Sequence, residues 1–141
     1  EKRARNAGLL AEALGELPAL RIPLPPPWIR HAWYRFYAFV EPGQLASGWT
    51  RDRILETIAA AGVPCSPGGR REFSLDRASA ARGWAPPHPL PVARALGETS
   101  FAFLVDTTLE EPAMRAAAAV IREVVAAASL EAARPTSRIV R

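Results

Sequence analysis

The stretch from His31 to Val40, HAWYRFYAFV, limits what this chain can fold into more than any other. It is rich in aromatic and branched side chains, and Glu41-Pro42-Gly43 ends it with a turn signal. Trp33, Tyr37 and Phe39 fall on one alternation and Tyr34, Phe36, Ala38 and Val40 on the other. Apolar residues on both alternations predict a central strand covered on both faces. Arg35 interrupts the Trp33 side, where a charge needs a partner or an exit to solvent at one end of the sheet. Two readings of Arg35 stand: packing with a satisfied guanidinium, or a role in a site.

The 141 residues, 49% of them hydrophobic, suffice for one domain with a real core, expected over residues 1–131. The net charge of +4 sits at the two ends, in Lys2, Arg3 and Arg5 and in Arg134, Arg138 and Arg141, which leaves the middle close to neutral. Basic residues confined to the ends, with no basic helix or aromatic-interleaved basic sheet, argue against nucleic acid as a partner. Residues 132–141 read as a mobile basic tail. A single cysteine, Cys65, excludes an internal disulfide and a cysteine-based zinc cluster, and fits a reducing cytoplasm. No apolar run approaches a membrane span and no signal-peptide pattern opens the chain. The chain starts at Glu1 and its one methionine is Met114, so a processed product or a piece of a larger protein is expected. All but one of its 18 basic residues are arginine, a bias that suggests a GC-rich bacterial genome.

Hydrophobic periodicity predicts an amphipathic helix over Arg3 to Leu17, ended by Pro18. Ile22 to Pro27, IPLPPP, cannot donate most backbone hydrogen bonds and predicts an extended connector to the strand. Thr50 is placed to cap a helix with Asp52 in its first turn and Ile54, Leu55 and Ile58 on its apolar stripe. Gly62 predicts a left-handed stop, followed by a short strand, Val63 to Cys65, that Pro64 marks as an edge or a strand end. Ser66 to Gly69 is a turn, and Arg70 to Trp84 reads as a loop. Leu90-Pro91 opens a short helix through Leu96, with Gly97 ending it, and Ser100 to Val105 is a buried strand. Thr108 and Glu111 have capping-box spacing ahead of a last helix whose buried face is Met114, Ala117, Ala118, Ile121, Val124 and Val125. The order predicts a small α+β domain, a three-stranded sheet with flanking helices.

Residues with chemistry are few. Cys65, His31 and His88 are the nucleophile and base candidates; a lone cysteine ending a strand reads at least as well as a small buried apolar residue. Two histidines without a nearby acidic ligand do not make a metal site. Pro67-Gly68-Gly69-Arg70-Arg71 reads either as a solvated turn or as a loop offering backbone amides and two guanidinium groups to a carboxylate or phosphate. His31, beside Trp33 and Tyr34, faces a ligand or is a satisfied structural histidine.

Four motifs taken in order carry a resemblance: HAWYRFYAFV; Gly48-Trp49 with Arg51-Asp52-Arg53-Ile54; Gly62-Val63-Pro64-Cys65; and LPVARALGETSFAFLV from Leu90 to Val105. Together they resemble the C-terminal part of the DegT/DnrJ/StrS family, pyridoxal-phosphate-dependent aminotransferases of the sugar-nucleotide type with the aspartate-aminotransferase fold. The resemblance implies the small lobe of a larger enzyme, which closes the substrate cleft of a large cofactor-binding domain of the same polypeptide, in a parent that is a homodimer. The large domain of that fold supplies the Schiff-base lysine; the only lysine here is Lys2, so no cofactor is expected on this chain alone and it is expected to be inert by itself. The substrate-side residues implied are His31, Tyr34, Ser66 and Arg70, with Arg71 as a further anion contact. The surface meant for the large domain is expected to include Trp28, Trp33 or Trp84. Two departures stand out: Gly68 to Ser74 lacks the second cysteine and the tyrosine that follow GVPC in close relatives, and Asp106-Thr107-Thr108-Leu109 stands where the family has His-Pro-x-Leu. A freestanding binding or regulatory module derived from the lobe is the alternative, and a parent that dehydrates its substrate or has lost activity is a third.

Overall fold

The computed structural model describes residues 1–69, 81–84, 88 and 90–130. Its elements are α1 (Lys2–Leu14), β1 (Leu20–Arg21), β2 (Phe36–Val40), a 3-10 turn (Pro42–Gln44), α2 (Arg51–Ala60), β3 (Cys65–Pro67), α3 (Pro91–Thr99), β4 (Ser100–Phe103) and α4 (Glu111–Ala128). They build an α+β domain on an antiparallel sheet in the order β1-β2-β4-β3. The sheet has four strands where the sequence predicted three. The added strand, β1, pairs Leu20 with Val40 and Arg21 with Phe39. Two residues carry no readable alternation, so only the neighbouring strand reveals it.

β2 lies inside the sheet as expected, but it starts at Phe36 rather than His31. Trp33 has a φ of 49° and its backbone N–H turns back onto Nδ1 of His31 at 3.1 Å. A positive φ is incompatible with an extended strand, so the aromatic run is split at that residue. The strand is also covered on one face only. Phe36, Ala38 and Val40 are buried, while Tyr37 is 39% exposed and Phe39 half-buried. Cross-strand register places Phe36 beside Phe103 and Ala38 beside Phe101 on the covered face. All three long helices lie over that face, contributing Leu10 and Leu14, Ile54 and Ile58, and Met114, Ile121 and Val125 to one core. Full burial of side chains of this size contributes about 1.5–3 kcal/mol each.

Local signals explain most boundaries. Thr50 Oγ1 accepts from the Arg53 backbone N–H at 3.2 Å and caps α2. Gly62, at a φ of 86°, makes the left-handed exit that sends the chain into β3. The predicted strand at Val63 to Cys65 is shifted to Cys65–Pro67, and it is an edge, where its one proline, Pro67, costs no ladder bond. α1 ends at Leu14, three residues short of Leu17, although Leu17 is still buried.

Two helix ends differ from their signals. α3 runs past Gly97 to Thr99, because the buried Arg51 donates from Nη1 to the Gly97 carbonyl at 3.1 Å and satisfies a terminal acceptor. α4 starts with Glu110 as its flanking residue, not with a Thr108 capping box. Buried Asn6 of α1 donates from Nδ2 to the carbonyls of Asp106 and Leu109 at 3.0 and 3.1 Å, and the Thr108 N–H is taken by Asp106 Oδ1 at 2.9 Å. That loop is held as an Asx turn against α1, which leaves Thr108 outside the helix.

Candidate functional site

The face of the sheet turned away from the three long helices, open along β1 and β2, is where chemistry-bearing residues meet. Register puts Tyr37, Ala102 and Ser66 in one row across β2, β4 and β3, and Arg21, Phe39 and Ser100 in the next. Directly opposed residues share a face, so all six lie on the side of the sheet turned away from the helical core; there Arg21 and Tyr37 are exposed and Phe39 half-buried, while Ala102 and Ser100 of β4 are buried. Arg35, immediately ahead of β2, reaches past β4 and donates from Nη1 to Ser66 Oγ at 3.0 Å. Its guanidinium also lies 5.7 Å from the centre of the exposed Tyr34 ring.

Beside this bridge is a cleft of about 270 Å³ lined by Ile22, Pro23, His31, Trp33, Arg35, Tyr37 and Phe39. The extended connector after β1 forms one side. The aromatic side chains of β2 form the floor. His31 stands edge-on to Trp33, with ring centres 4.5 Å apart, and Trp33 in turn stacks at 6.1 Å on Phe36 of the core. The positive φ of Trp33 therefore anchors the chain inward while holding His31 at the rim.

Of the five substrate-side residues expected from sequence, His31, Tyr34 and Ser66 come together around Arg35. Arg70 and Arg71 lie outside the described residues, as do most of the loop expected over Arg70 to Trp84 and the tail 132–141. The Gly68 N–H is not free for an anion, because it donates to the Ser100 carbonyl at 3.1 Å. Gly68 is glycine for a packing reason: a Cβ there would stand 2.7 Å from Ser100 Cβ and 2.9 Å from the Phe101 carbonyl oxygen. Of the two readings left open for Arg35, its place at the cleft matches the site role rather than plain packing, while Tyr37 is the lining residue that sequence reasoning left aside; the alternation that groups it with Trp33, Arg35 and Phe39 was the signal.

The remaining candidates resolve quietly. Cys65 is half-buried, its Sγ lies 3.4 Å from the Leu55 carbonyl, and burial pushes its thiol up, away from the thiolate a nucleophile requires. No cluster of metal-ligating side chains exists among the described residues. No helix among them is long and apolar enough to cross a membrane. Trp28 and Trp84 are exposed at 82% and 62%, whereas Trp33 is half-buried against the core. Asp106, at the position that departs from His-Pro-x-Leu, is occupied by Arg3 of α1 at 3.7 Å and by Thr108.

No protein-family model and no curated protein matches the chain. Solved structures do. An aminotransferase from Psychrobacter cryohalolentis is 36% identical, with a TM-score of 0.82 over 90% of this chain and 34% of its own. A putative sugar aminotransferase from Streptococcus pneumoniae, in its PMP form, has a TM-score of 0.74 at 15% identity over 89% of this chain and 30% of its own. A DegT/DnrJ/EryC1/StrS aminotransferase from Brucella abortus has a TM-score of 0.68 at 24% identity over 86% and 30%. The chain spans about a third of the length of the structures it matches. Over nine-tenths of its length, and at 36% identity to the first of these structures, the chain is similar to the C-terminal part of aminotransferases that include a DegT/DnrJ/EryC1/StrS-type member.

Proposed function

We propose that this chain is the small C-terminal lobe of a pyridoxal-phosphate-dependent, sugar-type aminotransferase, and that its open sheet face is one wall of the substrate cleft. The observation that carries this reading is the open face along β2: the three long helices pack on the other side of that strand, and His31, Tyr34, Arg35 and Ser66 gather beside the cleft, in a chain matching a third of a 36% identical aminotransferase. The covalent chemistry belongs elsewhere in the polypeptide. Lys2 is the only lysine; it opens α1 in the helical layer and is ion-paired with Glu110 at the start of α4. It does not fit a Schiff-base site, which needs a lysine held in a pocket beside the cofactor. The large domain that supplies that lysine docks on this lobe, and the exposed Trp28 and Trp84 suit such a contact. The parent acts as a homodimer in the cytoplasm, without nucleic acid or membrane as a partner.

The test is to express the entire reading frame that contains this segment and record its visible spectrum with pyridoxal phosphate before and after borohydride reduction. The expected result is a pyridoxyl adduct on a lysine outside residues 1–141. An adduct on Lys2, or no covalent binding, overturns the reading. A freestanding binding module is the second reading, favoured by one observation: the cleft beside Arg35 is assembled wholly from this chain.

A further inference from the structure

The geometry points to Arg35 as the anion anchor of the open-face cleft, taking an oxyanion, phosphate or carboxylate, carried next to a flat or sugar ring. His31 is its second donor, and Trp33 is the positioning residue that orients His31. The assignment rests on reading the open face as a ligand wall, but it concerns this chain's own residues and is tested on them.

The cations near this face have different partners. Arg21 lies over the Phe39 ring at 4.4 Å and 3.4 Å from a Glu41 carboxylate oxygen. Arg51 is buried against Asp52 and two carbonyls. Arg35 has the Ser66 hydroxyl and the Tyr34 ring, and no carboxylate among the described residues. A half-buried guanidinium carries five N–H donors, and one hydrogen bond to a hydroxyl leaves most of that capacity unused. Charge and fork geometry together select an oxyanion, which a guanidinium holds through paired hydrogen bonds. Ser66 adds to this. Its oxygen accepts from Arg35, so its own hydrogen remains free to donate.

His31 completes the donor set. Its Nδ1 accepts the Trp33 N–H, so in the neutral imidazole the ring hydrogen sits on Nε2. That bond exists because Trp33 adopts a left-handed backbone, a rare conformation for a bulky residue and of a kind that persists where the surroundings enforce it. Here the enforcement is the stacking of Trp33 on Phe36. The walls of Trp33, Tyr37, Phe39, Ile22 and Pro23 are flat and apolar, and 270 Å³ accommodates an anionic group with part of the ring that carries it.

The experiment titrates the 141-residue chain with inorganic pyrophosphate and, separately, with glutarate, reading heat by calorimetry and the fluorescence of the cleft tryptophan. Arg35→Gln, Arg35→Lys and Arg21→Gln are compared, with circular dichroism confirming the fold of each. Losing a charge-assisted contact is expected to weaken binding about tenfold or more in Arg35→Gln, with partial retention in Arg35→Lys and no change in Arg21→Gln. A loss confined to pyrophosphate assigns a phosphate, and one confined to glutarate assigns a carboxylate; both support the proposal. Binding of neither probe, or equal binding by Arg35→Gln, overturns it. Nitrogen-15 spectra of His31 are expected to show the Nε2–H tautomer, a readout that a purely packing role of Trp33 would not set, and an Nδ1–H tautomer overturns the positioning role. Absence of a cofactor adduct in the full reading frame would sink the enzyme reading and leave these results standing.

Discussion

Replacing Arg51 with methionine isolates the one buried cation among the described residues, which ties α2 to the end of α3 and the start of β4. Its Nη1 donates to the carbonyls of Gly97 and Ser100 at 3.1 and 2.8 Å, and Nε lies 2.7 Å from Asp52 Oδ1. Methionine keeps much of the volume and removes every donor. The Gly97 carbonyl, an end acceptor of α3, then loses its partner in the interior, at a cost of about 1–3 kcal/mol. The Ser100 carbonyl keeps the Gly68 N–H, so its loss is nearer the net value of an ordinary hydrogen bond, about 0.5–1.5 kcal/mol. Removing a positive charge from the first turn of α2 returns roughly 0.3–1 kcal/mol. The net expectation is a destabilisation of about 2–3 kcal/mol. With an m-value of about 1.5 kcal/mol/M, the urea midpoint falls by about 1.3–2 M. Arg53→Met is the control: its partners are the exposed Gly48 carbonyl and the Trp49 ring, so less than about 1 kcal/mol is expected. A loss below about 0.5 kcal/mol for Arg51→Met would refute the argument that these two carbonyls depend on it.

Gly68→Ala is expected to cost about 1–3 kcal/mol by forcing the β3 turn off Ser100, and Ser100→Gly in the same chain should recover only part, because the Phe101 carbonyl still blocks the methyl; equal urea midpoints for wild type and Gly68→Ala would contradict it. The carboxyl of Asp106 is held below its ordinary value chiefly by hydrogen bonds from Thr108 and further by Arg3, and Glu110 below its own by Lys2. A lowered folded-state value means stability present above the ordinary carboxylate values of 3.8 and 4.5 and lost as pH falls through the lowered ones. Asp106→Asn should therefore flatten the acid limb of a plot of urea midpoint against pH, and an unchanged slope would count against the clamp between α1 and the start of α4.

Much of the domain was legible in the order of its residues. Periodicity located the helices, Thr50 and Gly62 bounded α2, and Pro64 marked β3 as an edge, since each is a local matter of backbone geometry and donor supply. His31, Tyr34 and Ser66 were singled out through a resemblance carried by ordered motifs, and their substrate-side role is the proposal made above. What sequence could not convey was which face of HAWYRFYAFV is covered, because aromatic residues serve a core and an open ligand wall equally well. Nor could it place Arg35 against Ser66, thirty-one positions away, or show that Trp33 breaks the strand. Those outcomes depend on the pairing of β2 with β4 and of β4 with β3, which brings distant residues into one row. Local propensity set the elements; burial of one face of β2 under three helices decided which of its side chains remained accessible on the other, because successive residues of a strand point to opposite faces and only one of those faces meets the helical core.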